Sequence, residues 1–317
     1  MKTILALMLM FGVIAAPETS AQGYPNKPIR IIVPVPPGGA TDALTRRVAA
    51  KISLGVPVVV ENRVGAGARI ASQYVAQAEP DGYTLLIGGS PHSINNSLFK
   101  NMPYDAVRDF TPISLIGTFP MVLLVHPSVP VKNYKEFIDY AKANPEKIKC
   151  GGVPGGANHL ALELLMSKAG VKFLQVPYKG DAPMLTDLMG GHIDCVVIIT
   201  TTVLSGIKEG KFRALAVTGP KRLAVLPNTP TLQELGLTGY QAGSWNGVFA
   251  PAGTPPAVVK ALADQFIRAA NEPSVSEYLS SLGVEMVASD PEGLRDFLAR
   301  EIARWKAVIT SAKIVVE

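Results

Sequence analysis

A glycine-containing loop close to the N-terminus has the composition of a main-chain anion site. Residues 36–42 read Pro-Pro-Gly-Gly-Ala-Thr-Asp and join a β-branched run to a segment with helical spacing. Its two glycines let a ligand approach the backbone, and free N–H groups at a helix start favour a negative charge. A plain turn in which Thr41 or Asp42 caps the helix fits the same residues equally well. The candidate binding residues are Gly39, Ala40, Thr41 and Asp42, and we expect Asp42 to turn back and cap the helix.

A comparable loop lies in the middle of the chain. Residues 151–159 read Gly-Gly-Val-Pro-Gly-Gly-Ala-Asn-His, again between a predicted strand and a predicted helix. Asn158 could donate a hydrogen bond to a carboxylate or cap the helix. If the two loops face each other across a cleft, they suit a ligand with an anionic group at one or both ends. Gly156, Asn158 and His159 are the candidate binding residues of this second loop.

Further polar side chains stand at the ends of predicted strands. Ser90, His92, Tyr178 and Thr200 could donate hydrogen bonds to a ligand. Lys179 could pair with an anion or simply be solvated.

Metal, nucleotide and hydrolytic chemistry find little support. The four histidines lack the i, i+4 spacing of a helical zinc site and have no cysteine or carboxylate cluster, so we expect no metal site. No Gly-Lys-Ser/Thr or dinucleotide fingerprint occurs, and we expect no cofactor. A Gly-x-Ser-x-Gly elbow is missing too, although a Ser-His-Asp triad built from distant residues stays open. We therefore expect no enzyme, with an exported α/β hydrolase that uses His159 or His92 as the alternative from another class.

Apolar runs and helical spacing alternate along the chain and position these loops. Predicted strands cover residues 29–33, 56–61, 84–87, 121–126, 147–150, 173–176, 193–199 and 214–218. Predicted helices cover residues 41–52, 67–78, 134–143, 158–168, 182–189, 256–270, 274–282 and 291–311. This alternation predicts an α/β fold with mainly parallel sheets. We expect two lobes around a ligand cleft, residues 22–119 with 236–317 forming the first and residues 120–235 the second.

The composition is that of a folded, exported protein. Hydrophobic residues make up 48% and charged residues 17% of the 317 positions, which excludes a disordered chain. The net charge of +5 comes without a dense Lys/Arg run, so we expect no nucleic-acid partner. Met1-Lys2, an apolar run over residues 4–16 and small residues at 19–21 predict a signal peptide, residues 1–21, cleaved between Ala21 and Gln22. We therefore expect an exported protein.

The two cysteines lie in or beside predicted strands of the same lobe. Cys150 and Cys195 could form a disulfide in an oxidising compartment or stay as two buried thiols, and the sequence does not separate these possibilities.

Eight short segments, taken in order, resemble one family: the periplasmic substrate-binding proteins of tripartite tricarboxylate transporters, also called Bug receptors. They are Tyr24-Pro25 with Pro28-Ile29, then residues 36–42, 58–63 with 65–67, 80–86, 176–180, 210–218, 249–255 and 301–305. The resemblance implies a two-lobed Venus-flytrap fold that closes on a small carboxylate. It also implies that the loop at 36–42 grips one carboxylate, partly through water, and that the second lobe sets the ligand's identity.

Three departures from the family pattern bear on the ligand. Val35 stands where an aromatic residue is frequent, and Asn158 follows Gly155, Gly156 and Ala157 where a pair of serines is frequent. Ile198 lies in an apolar strand where several relatives carry an acid. Because a buried ammonium without a partner is costly, we expect a mono- or dicarboxylate without an amino group.

The expected function is an extracytoplasmic solute receptor that delivers this carboxylate to the membrane subunits of a transporter. A chemosensory receptor that presents the closed protein to a sensor protein is an alternative within the same class. We expect the receptor to be a monomer.

Overall fold

The computed structural model describes residues 23–314. Its strands are β1 (Ile29–Val33), β2 (Val58–Asn62), β3 (Thr84–Gly88), β4 (Phe110–Val125), β5 (Lys149–Gly152), β6 (Leu174–Pro177), β7 (Cys195–Ile199), β8 (Arg213–Val217), β9 (Gly243–Pro251) and β10 (Glu285–Met286). Its α-helices are α1 (Ala40–Ala49), α2 (Arg69–Ala76), α3 (Ser90–Leu98), α4 (Tyr134–Ala143), α5 (Ala157–Ala169), α6 (Asp181–Met189), α7 (Thr200–Lys208), α8 (Pro256–Asn271), α9 (Pro273–Ser281) and α10 (Pro291–Ser311). A short 3₁₀ turn, Ala66–Ala68, precedes α2.

One long strand joins two sheets. The strand order is β2-β1-β3-β9-β4-β7-β5-β6, with β10 and β8 also paired to β4. The pairing partner of β4 changes in the middle of the strand: Pro120 pairs with Gly243 of β9, and the next residue, Met121, pairs with Ile199 of β7. Parallel pairs form both outer parts, β2-β1-β3 and β7-β5-β6, whereas β4 and β9 pair antiparallel to their neighbours. The fold is therefore the predicted two-lobed α/β fold.

Each sheet is covered by helices and has its own apolar core. In the first lobe β1 and β3 bury Ile31 and Leu85 beneath helix residues such as Phe266. In the second lobe Leu123 and Val197 lie beneath Leu160 of α5. These strands are apolar nearly throughout, as expected where helices cover a parallel sheet on both faces. Burying each such side chain contributes about 1.5–3 kcal/mol to folding.

Several elements differ from the sequence prediction. The strand predicted to start at Met121 begins at Phe110, because its first half pairs with β9, a strand the sequence analysis did not predict. Helices α3 and α7 begin at Ser90 and Thr200, where only loops were expected. Both are short and start directly after a buried strand. Their weak helix-forming residues are held by packing against the sheets and not by intrinsic propensity.

The C-terminal helix α10 contacts both lobes. Leu294 and Leu298 belong to a core cluster with residues of the first lobe. Trp305 and Ile309 belong to the core cluster that contains Leu160 of α5. The predicted boundaries of the two lobes stay a prediction, and α10 is a connection between them.

Two smaller features complete the description. Cys150 and Cys195, on the neighbouring strands β5 and β7, form a disulfide. Among residues 23–314, no helix is long and apolar enough to span a bilayer. The predicted signal peptide, residues 1–21, lies outside the described residues.

Candidate functional site

Two adjoining cavities lie where the ends of the strands of both lobes meet. The larger has a volume of about 520 Å³ and the smaller about 220 Å³. Both are lined by Val35, Gly67, Pro91 and Ser244, so they form one cleft with two chambers. The larger chamber is mostly apolar, and its remaining walls include Ile94, Leu98, Phe99, Met121, Ile198 and the loop at 153–158.

The first-lobe loop leaves the start of helix α1 without a side-chain cap. Gly38 has φ +88°, which favours glycine, and helix α1 starts after Gly39 without a side-chain cap. The Gly38 N–H instead donates to Asp42 Oδ2 at 2.9 Å. The N–H groups of the first helical turn, from Ala40 onward, therefore have no side chain within residues 23–314 that caps them.

Asp42 turns back into the loop, but the prediction that it caps the helix is wrong. The start of α1 after Gly39 has no side-chain cap, and the Asp42 carboxylate accepts the Gly38 N–H instead. Its carboxylate is 2% exposed and accepts hydrogen bonds from Arg46 Nε and from Asn62 Nδ2, the latter at 2.8 Å. Burial alone would raise the pKa of Asp42, but the hydrogen bonds from Arg46, Gly38 and Asn62 outweigh it and hold the pKa below its ordinary value. Asp42 is thus a structural anion that shapes the loop.

The smaller chamber contacts this loop at Thr41 and the residue just before the loop, Val35. Thr41 lines the smaller chamber and donates through Oγ1 to Asn246 Oδ1 at 3.1 Å. Gly39, Ala40 and Asp42 are not among the residues that line either chamber. Of loop residues 36–42, Thr41 in the first turn of α1 is therefore the one that lines the cleft.

The second-lobe loop places Gly156 and Asn158 in the wall of the larger chamber. Asn158 Oδ1 accepts the N–H groups of Val153 and His159, and its Nδ2 donates to Asp181 Oδ1 at 3.1 Å. Asn158 therefore both closes the loop and contacts a side chain in the chamber.

His159 lies outside both chambers. Its Nδ1 accepts the Gly155 N–H at 3.1 Å, and its Nε2 is 3.6 Å from Glu163 of the same helix. The ring thus stabilises the loop from the side that faces away from the chambers.

Ser90 and His92, both on α3, occupy different chambers. Ser90 lines the larger one and donates to the Gly243 carbonyl at 3.2 Å. His92 lines the smaller one but is 2% exposed, and its ring packs 4.8 Å from that of Phe110 and 4.6 Å from that of Phe249. Burial lowers the pKa of His92 to about 4, so the ring is neutral at pH 7.

Of the three remaining predicted residues, only Ile198 lines the cleft. Tyr178 donates through its hydroxyl to Asp187 at 2.6 Å, within the second lobe. Thr200 is fully buried and donates to the Pro120 carbonyl at 2.9 Å, at the point where β4 changes sheets. The hydroxyl groups of Tyr178 and Thr200 therefore donate to other groups of the protein and not to a ligand.

Sequence analysis missed several polar or small residues in the walls, among them Gly67, Asp181, Ser244 and Asn246. Asp181 directly follows the segment 176–180 that carried the family resemblance, and this position was a usable signal. Ser244 and Asn246 lie on β9, whose strand was not predicted, so no local pattern placed them at the cleft.

The cleft has a pronounced polarity. Thr41, Ser244 and Asn246 bring hydroxyl and amide groups to the first-lobe side. Among the described residues that line the larger chamber, Asp181 is the one with an ionisable side chain. Within residues 23–314 no group of three or more His, Cys, Asp or Glu side chains could hold a metal ion. The arrangement is suited to binding an organic molecule with a polar end and an apolar body.

Comparison with known proteins identifies the family to which this chain is similar. Residues 44–314 match the model of the tripartite tricarboxylate transporter family receptor. Protein BugT of Bordetella pertussis is 36% identical over 318 residues, covering 98% of this chain and 97% of BugT.

Two solved structures are similar over nearly the whole chain. The periplasmic binding protein BugD has a TM-score of 0.79 at 36% identity, covering 93% of this chain and 100% of BugD. A protein of R. palustris with bound adipate has a TM-score of 0.81 at 36% identity, covering 92% of this chain and 99% of that protein. The resemblance drawn from the eight sequence segments is confirmed, and this chain belongs to the tripartite tricarboxylate transporter receptor family.

Proposed function

We propose that this protein is a periplasmic solute receptor that binds a small carboxylate in the cleft and delivers it to the membrane subunits of a tripartite transporter. The observation that carries the proposal is the two-chamber cleft between the lobes, with the first turn of α1 at one end. The adipate bound to the R. palustris relative supports the ligand class. The receptor acts as a monomer.

The chemistry of the smaller chamber suits a carboxylate. Uncapped N–H groups at the start of α1 and the positive end of the helix dipole favour an anion there. Thr41, Ser244 and Asn246 add polar groups beside them. The chamber is larger than one carboxylate needs, so ordered water completes the contacts.

The larger chamber suits the body of the ligand. Its apolar walls, such as Ile94, Leu98 and Ile198, accept methylene groups. The sequence favoured a ligand without an amino group because Ile198 replaces an acid. Asp181 lies in the same wall and supplies an acid, so the apolar residue at 198 does not exclude an amino group on the ligand. The ligand class proposed here is therefore a small carboxylate, with or without an amino group.

A thermal-shift panel of mono- and dicarboxylates on ligand-stripped protein tests the proposal. A ligand that binds only the native state raises the melting temperature, and the stabilisation grows with the logarithm of the ligand concentration over its Kd. Thr41→Val should reduce the ligand-induced rise in melting temperature. Ala40→Asp should reduce it only if the carboxylate binds next to Ala40, at the N-terminal side of Thr41. No shift with any carboxylate would contradict the proposal.

The transporter and the sensor roles are separated in cells. Deletion of the gene should abolish uptake of the ligand if the receptor serves a transporter. Intact uptake with a lost transcriptional response to the ligand would assign the receptor to a sensor protein.

A further inference from the structure

Asp181 is an acid in the wall of an apolar chamber. It is the first residue of α6 and lines the larger chamber next to Gly180. Its Oδ1 accepts from Asn158 Nδ2 at 3.1 Å. No lysine or arginine from the described residues lines the chamber with it. The carboxylate is thus presented to the cleft without a cation from the protein.

The single hydrogen bond from Asn158 does not offset this charge. Asn158 is held in place because its oxygen already accepts the Val153 and His159 N–H groups. Its amide donates to one oxygen of Asp181 and carries no formal charge. Burial raises the pKa of Asp181 even though the residue stands at the positive end of the α6 dipole, so the ionised form is disfavoured in the chamber. A ligand cation is the partner that the chamber lacks.

The two ends of the cleft therefore have opposite preferences. The first-lobe end offers the uncapped N–H groups at the start of α1, beside Thr41, and the hydroxyl of Ser244, which favour an anion. The second-lobe end offers an anion, Asp181. A dicarboxylate that spans both ends would place its second carboxylate beside a like charge, whereas a zwitterion would be complementary at both ends.

We propose that Asp181 determines the specificity of the cleft, and that the ligand is an amino carboxylate whose carboxylate faces Thr41 and whose ammonium group donates to Asp181. This inference rests on the proposed receptor function. It assigns to Asp181 the role that the sequence analysis sought at Ile198. The apolar walls between the two ends then hold the methylene chain of the ligand.

Matched ligands test the specificity in the wild-type protein. The four-carbon series is γ-aminobutyrate, succinate and butyrate, and the six-carbon series is ε-aminocaproate, adipate and hexanoate. Each is titrated calorimetrically into ligand-stripped protein. In at least one series, we expect the amino carboxylate to bind about tenfold or more tightly than the dicarboxylate and the plain monocarboxylate. A dicarboxylate that binds more tightly than its amino partner in both series would overturn the proposal and leave the receptor function intact.

The variant Asp181→Asn tests the residue itself. The amide keeps the size of the side chain and an oxygen for Asn158, but removes the charge. It should cost the amino carboxylate about tenfold in affinity and improve binding of the dicarboxylate. Asp139→Asn is the matched control, because Asp139 is an exposed acid of the second lobe paired with Lys135 on α4.

The outcomes distinguish a failure of the proposed role of Asp181 from a failure of the proposed receptor function. Unchanged selectivity in Asp181→Asn would overturn the role of Asp181, while the wild-type ligand series still decides the ligand class if the variant does not fold. If no member of either series and no other small carboxylate binds, the proposed receptor function fails as well.

Discussion

Asn62 Nδ2 lies 2.8 Å from Asp42 Oδ1 and 2.9 Å from the carbonyl oxygen of Val35. One amide group at the end of β2 thus holds both sides of the first-lobe loop. Asp42 in turn accepts the Gly38 N–H, so the loop conformation depends on this chain of three contacts. The contacts connect the segment 58–63 directly to the glycine loop.

Removing this amide should destabilise the protein. In Asn62→Ala the buried Asp42 carboxylate loses one of its donors, and we expect the free energy of unfolding to fall by about 1–3 kcal/mol. Urea unfolding followed by circular dichroism measures it. Asn144→Ala is the control, because the side chain of Asn144 is half-buried and donates to the Tyr140 carbonyl of the adjoining helix α4. Equal losses in both variants would contradict the role of Asn62.

Ligand affinity should depend on the Thr41 hydroxyl. Thr41→Val keeps the shape of the side chain but removes its hydrogen bond to Asn246, which is fully buried in the wall of the smaller chamber. We expect the Kd for the tightest carboxylate of the panel to rise about tenfold, as for the loss of one hydrogen bond at a buried site. Calorimetric titration measures the change. Thr186→Val, an exposed change on α6, should bind as the wild type does.

Stability should fall in mild acid because of His92. Its pKa is lowered from 6.5 to about 4 in the folded protein by burial, so the unfolded chain binds the proton more readily. The contribution of the neutral ring is fully present above pH 6.5 and is lost as the pH falls from 6.5 to 4. The complete loss is about 3 kcal/mol.

The variant His92→Gln isolates this contribution. Urea unfolding at several pH values between 7 and 4 should show a smaller decrease in stability for the variant than for the wild type. The variant loses the ring packing against Phe110 and Phe249 at every pH, so the slope and not the absolute stability is diagnostic. Parallel pH curves for the two proteins would show that His92 does not cause the loss.

The disulfide should stabilise the second lobe. Cys150 and Cys195 are separated by 45 residues, and closing such a loop in the unfolded chain contributes about 2–4 kcal/mol. The double variant Cys150→Ala/Cys195→Ala should lose that much in urea unfolding and be insensitive to reductant. Wild-type protein in reductant should approach the variant. If reductant leaves the wild type unchanged while the double variant is destabilised, packing of the cysteines and not the bond carries the effect.

Many elements followed from local sequence. The strand at Ile29–Val33 and the helices at Tyr134–Ala143 and Pro291–Ser311 have the predicted bounds. Their apolar residues repeat with the period of the element and their ends carry the usual signals, so each segment specifies itself. The glycine loop was also local, because Gly38 and the start of α1 are adjacent in the chain.

Several parts of the cleft depended on distant contacts. β9 became a strand by pairing with β4, more than a hundred residues earlier, and this brought Ser244 and Asn246 to the chamber. Tyr178 and Asp181 are three residues apart, yet one bonds to Asp187 on α6 and the other lines the cleft.

The residue types and their order along the chain determined the family, the α/β alternation and the presence of two glycine loops. The tertiary structure decided which side chains reach the ligand. The physical reason is that burial and pairing depend on contacts between residues far apart in sequence, whereas propensity and periodicity act over a few residues. Asp181 illustrates the difference, since its charge is evident in the sequence but the apolar chamber that surrounds it is not.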